Sequence, residues 1–271
     1  MDFDIIVIGA GPGGYVAAIK AAQLGKKVCI VEKKHVGGTC LNVGCIPTKV
    51  LLKSVETRNE VAQSGKFGIT GIDIGGLDIE LSVLQERKSS IIKQLVQGVE
   101  GLLKKNKVIL KSGNAEFIDK KTLKVGDEKI TADSIIIAAG SETKSLPVAV
   151  DNSMPVYTST EVLGLKKKPS KMVVIGGGVI GIELAYFLNN IGTDVSIVEF
   201  MDRILPPVDA EIAGMVEKQF TEMGIDIHTG AKVTKIEKDG VVFENEGMEQ
   251  KIKCGAVLMA AARAPYTGGL N

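Results

Sequence analysis

Two cysteines set five positions apart, Cys40 and Cys45, are the side chains in this sequence best placed to do covalent chemistry together. They stand in Gly37-Gly38-Thr39-Cys40-Leu41-Asn42-Val43-Gly44-Cys45-Ile46-Pro47-Thr48-Lys49, which leads into a helical pattern. On a distorted first turn or two of a helix, thiols at this spacing can meet in a reversible disulfide. A helix N-terminus favours the thiolate, the reactive form of a thiol. Two other readings stay open: a pair of buried cysteines, or half of a zinc site with His35. Zinc asks for three or four ligands in tetrahedral reach, and no second Cys or His pair lies nearby in the chain. Cys29 and Cys254 fall in strand patterns and read as small core residues.

Two glycine clusters point to a second kind of chemistry. Gly9-Ala10-Gly11-Pro12-Gly13-Gly14 directly follows an apolar, β-branched run. Glycine there permits a tight turn, a close approach of backbone to a pyrophosphate, and close helix–strand packing. The helix that follows offers unpaired N–H groups and a positive dipole end to phosphate. Glu32 stands 23 residues after Gly9, where a carboxylate can accept hydrogen bonds from ribose hydroxyls. Gly176-Gly177-Gly178-Val179-Ile180-Gly181 repeats the pattern, and Glu199 again follows the first glycine by 23 residues. Packing alone does not account for two clusters with an acid at one spacing, so we expect two dinucleotide sites. A carboxylate at Glu199 favours a free 2′-hydroxyl and repels a 2′-phosphate, which argues for NAD over NADP. Arg203 follows Asp202 and reads as a paired or solvated cation.

The elements needed to position these groups are visible in the hydrophobic pattern. A strand over 4–9, a glycine turn, a helical pattern running through Leu24 and a strand over 27–32 follow in order, and the order returns in 171–175, 180–190 and 194–199. A β-turn-α-β unit used twice predicts an α/β fold of two Rossmann-like lobes with parallel sheets. Two long helical patterns, 38–63 and 81–105, lie between them. Short strand-like runs at 107–111, 115–118, 122–125 and 129–131 predict a small antiparallel β element in the first lobe, and 134–138 reads as a buried strand ending at Gly140. Strands at 231–237, 241–244, 249–253 and 256–260 predict one in the second. The expected division is a first lobe over 1–145, a connection over 146–170 rich in Pro and Lys, and a second lobe over 171–271.

Bulk properties narrow the function classes. A net charge of +1 gives no electrostatic case for nucleic acid or an anionic membrane. Trp is absent, and 7 Phe with 4 Tyr make a poor stacking platform for single strands. The most apolar stretch, 172–188, carries Glu183 and a run of glycines, so no membrane span is expected. The acidic start Met1-Asp2-Phe3-Asp4 does not resemble a signal peptide. Four cysteines are too few for a secreted disulfide scaffold, and a cytoplasmic setting is expected.

With these residues in hand, the segment from Gly37 to Lys49 resembles the redox-active stretch of the pyridine nucleotide–disulfide oxidoreductases. Its Ile46-Pro47-Thr48-Lys49 ending is most similar to the dihydrolipoamide dehydrogenase branch. The resemblance covers the whole chain, through both glycine clusters and Ile204-Leu205-Pro206. It implies FAD in the first lobe and NAD in the second. It further implies that Cys45 communicates with the flavin, that Cys40 exchanges with a dihydrolipoyl or other small dithiol, and that Lys49 sits by the flavin paired with Glu183. Catalysis is thus expected from Cys40, Cys45, Lys49 and Glu183. Cofactor contacts are expected from Gly9, Gly11, Pro12, Gly13, Gly14, Glu32, Lys33, Gly38, Thr39, Lys49, Ala115 and Gly140 in the first lobe. In the second they are expected from Gly176, Gly178, Val179, Ile180, Gly181, Glu199 and Val233. No metal is expected.

The same resemblance implies a homodimer, and a 2-oxo-acid dehydrogenase or glycine cleavage complex as partner. Members of the family carry a return segment to the flavin lobe and an interface domain with a His–Glu base. The sequence is expected to lack both, which leaves the first lobe incomplete and the turnover of this chain in question. His35 and His228 match no such base. Ala139 stands where the family has threonine, and Ala262 where it has glycine. The competing expectations are a glutathione- or mercuric-type reductase and a nucleotide-binding module without catalysis.

Overall fold

The computed structural model describes residues 1–270. The chain divides into two compact units. One takes Met1–Pro47, Lys88–Glu142 and the residues from Arg263 on; the other takes Thr48–Arg87 and Thr143–Ala262. Both are α/β with parallel sheets.

The first unit opens with β1 (Phe3–Ile8), α1 (Pro12–Gln23) and β2 (Val28–Glu32), a β-α-β unit closed by parallel pairing of Ile5–Ile8 with Val28–Val31. Next come α2 (Gly38–Val43), α3 (Cys45–Ala62) and α4 (Leu81–Lys105), of which the first and last stretches belong to this unit. The strands β3 (Ile109–Ser112), β4 (Ala115–Asp119), β5 (Thr122–Val125) and β6 (Glu128–Ile137) complete one sheet in the order β3-β2-β1-β6-β5-β4. The two strands expected at 129–131 and 134–138 are one continuous strand, β6. Its first half pairs antiparallel with β5 and its second half parallel with β1, so no turn is needed between them. A short strand, β7 (Ser141–Thr143), follows.

Successive residues of β1 point to opposite faces, and both faces are covered. Val7 packs with Ala18 and Ala21 of α1, Leu41 of α2 and Val99 and Leu103 of α4. Ile6 and Ile8 pack on the other side with Ala115, Leu123, Val125 and Ile130. This is why β1 reads as an unbroken apolar run.

The second unit begins with β8 (Ala149–Val150), β9 (Val156–Thr158) and α5 (Ser159–Val162), all inside the segment 146–170. Then come β10 (Lys171–Ile175), α6 (Val179–Asn190), β11 (Asp194–Val198) and α7 (Ala210–Glu222). The remainder is β12 (Asp226–His228), β13 (Ala231–Glu237), β14 (Gly240–Asn245), β15 (Met248–Lys253) and β16 (Ala256–Met259). Five parallel strands run in the order β12-β11-β10-β16-β9, and a four-stranded sheet in the order β15-β14-β13-β8. Val173, Ile175, Val198 and Val257 of the first sheet share a core with Val233, Ile236, Val241 and Phe243 of the second. The helix α7 was not among the expected elements. Its local signal is Asp209, whose carboxylate caps the amides of Glu211 and Ile212 behind Pro206-Pro207. The last strand, β17 (Arg263–Pro265), pairs with β7. No helix among the described residues is long and apolar enough to cross a membrane.

Candidate functional site

The expected helix over 38–63 is two helices. The break at Gly44 follows from Pro47, which has no N–H for the carbonyl of Val43 and whose ring would clash with it in a continuous helix. Gly44 takes φ −148° and ψ −113°, and a Cβ there would stand 2.9 Å from the Thr39 carbonyl oxygen. Cys40 is therefore the third residue of α2 and Cys45 the first of α3, with the break between them. Cys40 is half-buried and Cys45 exposed. Asn42 steadies α2 by donating from Nδ2 to the carbonyls of Val36 and Gly38, at 3.0 and 2.9 Å.

The cysteine segment begins on the first glycine turn. The Gly37 amide donates to the Ala10 carbonyl at 2.8 Å, and Gly37 and Gly38 have φ of +90° and +57°. Gly9 takes φ +98°, a conformation that glycine alone adopts without cost. A Cβ on Gly14 would overlap the Gly9 carbonyl, whereas nothing lies within 4 Å of one on Gly13. The first turn of α1, with Gly11 as N-cap and Pro12 at its start, is thus backed by close packing and open in front. That arrangement fits a pyrophosphate cradle. Glu32 accepts from the Ala10 amide through Oε2 at 2.7 Å and from the Lys34 amide through Oε1 at 2.8 Å. A cavity of about 110 Å³ beside it is lined by Gly9, Glu32, Lys33, Ala115 and Ala139, together with Tyr266 and Leu270. Gly140 offers its carbonyl to the Tyr266 amide.

The second unit repeats this geometry. Gly178 caps α6 with φ −74° and ψ 177°, against φ −72° and ψ −178° for Gly11. Gly176 has φ +109°, and a Cβ on Gly181 would overlap the Gly176 carbonyl. Glu199 accepts from the amides of Gly177 and Met201, at 2.5 and 2.7 Å. Both acids are thus bonded to the backbone of the turn they follow, an arrangement that spacing alone did not suggest. Arg203 donates to the Pro206 carbonyl at 2.9 Å. Val179 is exposed and Ile180 half-buried at the start of α6, while Val233 is buried in the core.

Lys49 and Glu183 lie together in the second unit, with Nζ 2.7 Å from Oε1 and 2.9 Å from Oε2. They edge a groove of about 640 Å³ whose apolar walls are Leu52, Ile182, Tyr186 and Phe220. Tyr186 and Phe220 stack at 6.2 Å. Neither ring was a candidate from the sequence, and α7, which carries Phe220, was not foreseen.

The other candidates take quiet roles. Cys29 is fully buried in β2, and burial pushes its thiol up to about 11. Cys254 lies one residue past β15 rather than in a strand, and burial raises its thiol too. His228 Nε2 is 2.8 Å from Asp226 Oδ2, with its ring tilted on Phe243. Among the described residues no three His, Cys, Asp or Glu side chains cluster as metal ligands.

The model of the family described as pyridine nucleotide-disulphide oxidoreductase matches residues 3–271. A dihydrolipoyl dehydrogenase of Acholeplasma laidlawii is 40% identical over 275 residues, spanning all of this chain and 81% of that protein. The chain belongs to the pyridine nucleotide-disulphide oxidoreductase family. A mitochondrial dihydrolipoyl dehydrogenase of Schizosaccharomyces pombe is 39% identical across the whole chain. The chain spans only 55% of that relative's length. Among solved structures, the HOCl-induced flavoprotein disulfide reductase RclA of Escherichia coli has a TM-score of 0.80 at 29% identity. That match covers 99% of this chain and 58% of the reductase. Within the family, the repeated glycine turns and the cysteine pair are the residues that need explaining by chemistry rather than packing.

Proposed function

We propose that this chain carries the dithiol and nucleotide machinery of a dihydrolipoamide dehydrogenase, oxidising a dihydrolipoyl or similar small dithiol and passing the electrons to NAD. One observation carries the reading: Cys40 and Cys45 flank a one-residue helix break in a segment that starts on a glycine turn built for a pyrophosphate.

With the pair oxidised, a substrate thiolate attacks Cys40 Sγ, forms a mixed disulfide and releases Cys45 as thiolate. The second substrate thiol then displaces Cys40, leaving the substrate as a disulfide and the protein pair reduced. The position of Cys45 at the head of α3 places the helix dipole's positive end beside the leaving sulfur. Lys49, one turn further along α3, and Glu183 are the charged pair read as flanking a flavin. When bound, FAD would take two electrons from the reduced pair and hand hydride to NAD⁺. Gly9, Gly11, Pro12, Gly13, Gly14, Glu32, Lys33, Gly38, Thr39, Ala115 and Gly140 would hold it. Gly176, Gly178, Val179, Ile180, Gly181, Glu199 and Val233 would hold NAD. We place the protein in the cytoplasm, as part of a homodimer serving a 2-oxo-acid dehydrogenase or glycine cleavage complex; two reducible thiols in a working pair suit a reducing compartment.

A glutathione- or mercuric-type reductase is the second reading; the likeness to a flavoprotein disulfide reductase is compatible with it, while Glu199 and Thr48-Lys49 count against it. The test is to oxidise the purified chain mildly and map its disulfides by mass spectrometry. The dithiol reading expects a Cys40–Cys45 bond that dihydrolipoamide reduces; its absence sinks the reading. Tighter binding of NADPH than NADH by the second unit favours the other reductases.

A further inference from the structure

The C-terminal residues of the described chain do not run free of the first nucleotide pocket. Pairing of β17 with β7 sets their direction, and Arg263 Nε fixes it by donating to Ser141 Oγ at 2.9 Å. The Tyr266 amide then donates to the Gly140 carbonyl at 2.9 Å, and the Phe117 amide to the Leu270 carbonyl at 2.9 Å. Lys33 Nζ sits over the Tyr266 ring, 3.2 Å from its centroid. Leu270 packs against the core layer that holds Ala115, Leu123 and Val125. Tyr266, Gly268, Gly269 and Leu270 thereby form one wall of the cavity whose other wall includes Gly9, Glu32, Lys33 and Ala115.

We infer that the segment from Tyr266 to Leu270 is an internal competitor for the adenosine half of a dinucleotide at the first unit. The inference rests on reading that unit as a dinucleotide site. Three features support it. The remaining cavity, about 110 Å³, falls well short of the roughly 300–1,000 Å³ that small-molecule sites offer. The groups the segment engages belong to the expected site: the Lys33 ammonium, the Gly140 carbonyl and the strand that carries Ala115. The contact made by the Tyr266 ring, a π-face beneath a lysine cation, is one an adenine ring could make in its place. Two main-chain hydrogen bonds, one cation–π contact and the packing of the Leu270 side chain make the latch, and ligand must displace all of them to enter. The apparent affinity is then lowered by the fraction of molecules whose latch is open.

The test uses the whole 271-residue chain and FAD itself, titrated by flavin fluorescence and calorimetry. Tyr266→Ala, and separately Leu270→Ser, should tighten FAD binding by about ten-fold, as expected when a mostly closed state is opened. Hydrogen exchange on the unsubstituted chain adds a reading that needs no variant: saturating FAD should speed exchange at the Phe117 amide as Leu270 leaves. FAD bound with unchanged affinity in both variants, and Phe117 still protected, overturns the competition while leaving the site intact. Folded variants and parent that all fail to bind FAD overturn the dinucleotide reading and the inference with it.

Discussion

A Cβ placed on Gly38 would stand 2.6 Å from the Cα of Gly11. The first residue of the cysteine-bearing helix and the cap of α1 are therefore in backbone contact. Two motifs that look independent in the sequence form one rigid piece, so a shift in the glycine turn moves the thiols as well.

Gly38→Ala should break that piece. The residue sits at φ +57°, which already disfavours a side chain, and the new methyl would meet backbone that cannot rotate away. We expect a loss of about 1–3 kcal/mol in urea unfolding. Oxidation should also yield less of the Cys40–Cys45 bond. A variant with parental stability and parental disulfide yield would show that the contact does not matter.

The two glycine turns should fail separately. Gly181→Ala drives a methyl into the Gly176 carbonyl inside the second unit alone, and overpacking of this kind costs about 1–3 kcal/mol. NADH binding should be lost while the thiols of the first unit keep their reactivity towards iodoacetamide. Equal loss in both would contradict the assignment of one nucleotide turn to each unit.

The cysteines should separate by reactivity. Cys45 is exposed and should alkylate first, while Cys29, buried and held to about 11, should react only on unfolding. The sign of the pH effect follows from that value. An unfolded chain ionises this thiol near its ordinary value of 9.0, whereas the folded chain does so near 11. Protons are thus lost first from the unfolded state, and the stability that Cys29 contributes falls as pH rises through that window. Cys29→Ala should flatten the decline in Tm between pH 9 and 11 relative to the parent; identical slopes would refute the link.

Acid should act on the second unit through Glu237. Hydrogen bonds from Lys235 and Lys251 hold its carboxyl down to about 2, against an ordinary 4.5. Its contribution is present above 4.5 and lost as pH falls towards 2. The pair is exposed, so salt should weaken the effect. Carboxyl NMR titration should find Glu237 still charged at pH 3.5, and Lys251→Met should raise its midpoint. A midpoint already near 4.5 in the parent rules the network out.

Much of the fold was legible because its signals are local. Apolar runs at Phe3–Ile8 and Lys171–Ile175, each followed by a glycine cluster and a helical pattern, have few solutions other than a parallel α/β unit. The helix over Leu81–Lys105 and the strand over Thr122–Val125 fall where the periodicity puts them. The elements that escaped lack such signals. The strands β8, β9 and β17 span two or three residues each, too short for a period to register. Splitting 129–131 from 134–138 failed because Ala132 and Asp133 look like an interruption. In the sheet they lie where β6 exchanges one neighbour for the other.

The sequence by itself determined which residues can do chemistry: two thiols at fixed spacing, two glycine turns and two acids, each set by steric limits within a few residues. Only the tertiary structure decided what those groups touch. It paired Lys49 with Glu183 across 134 residues, turned Glu32 and Glu199 onto backbone amides, and brought Tyr266 beneath Lys33. Such contacts depend on how sheets and helices pack over long chain separations, and no local pattern encodes that distance.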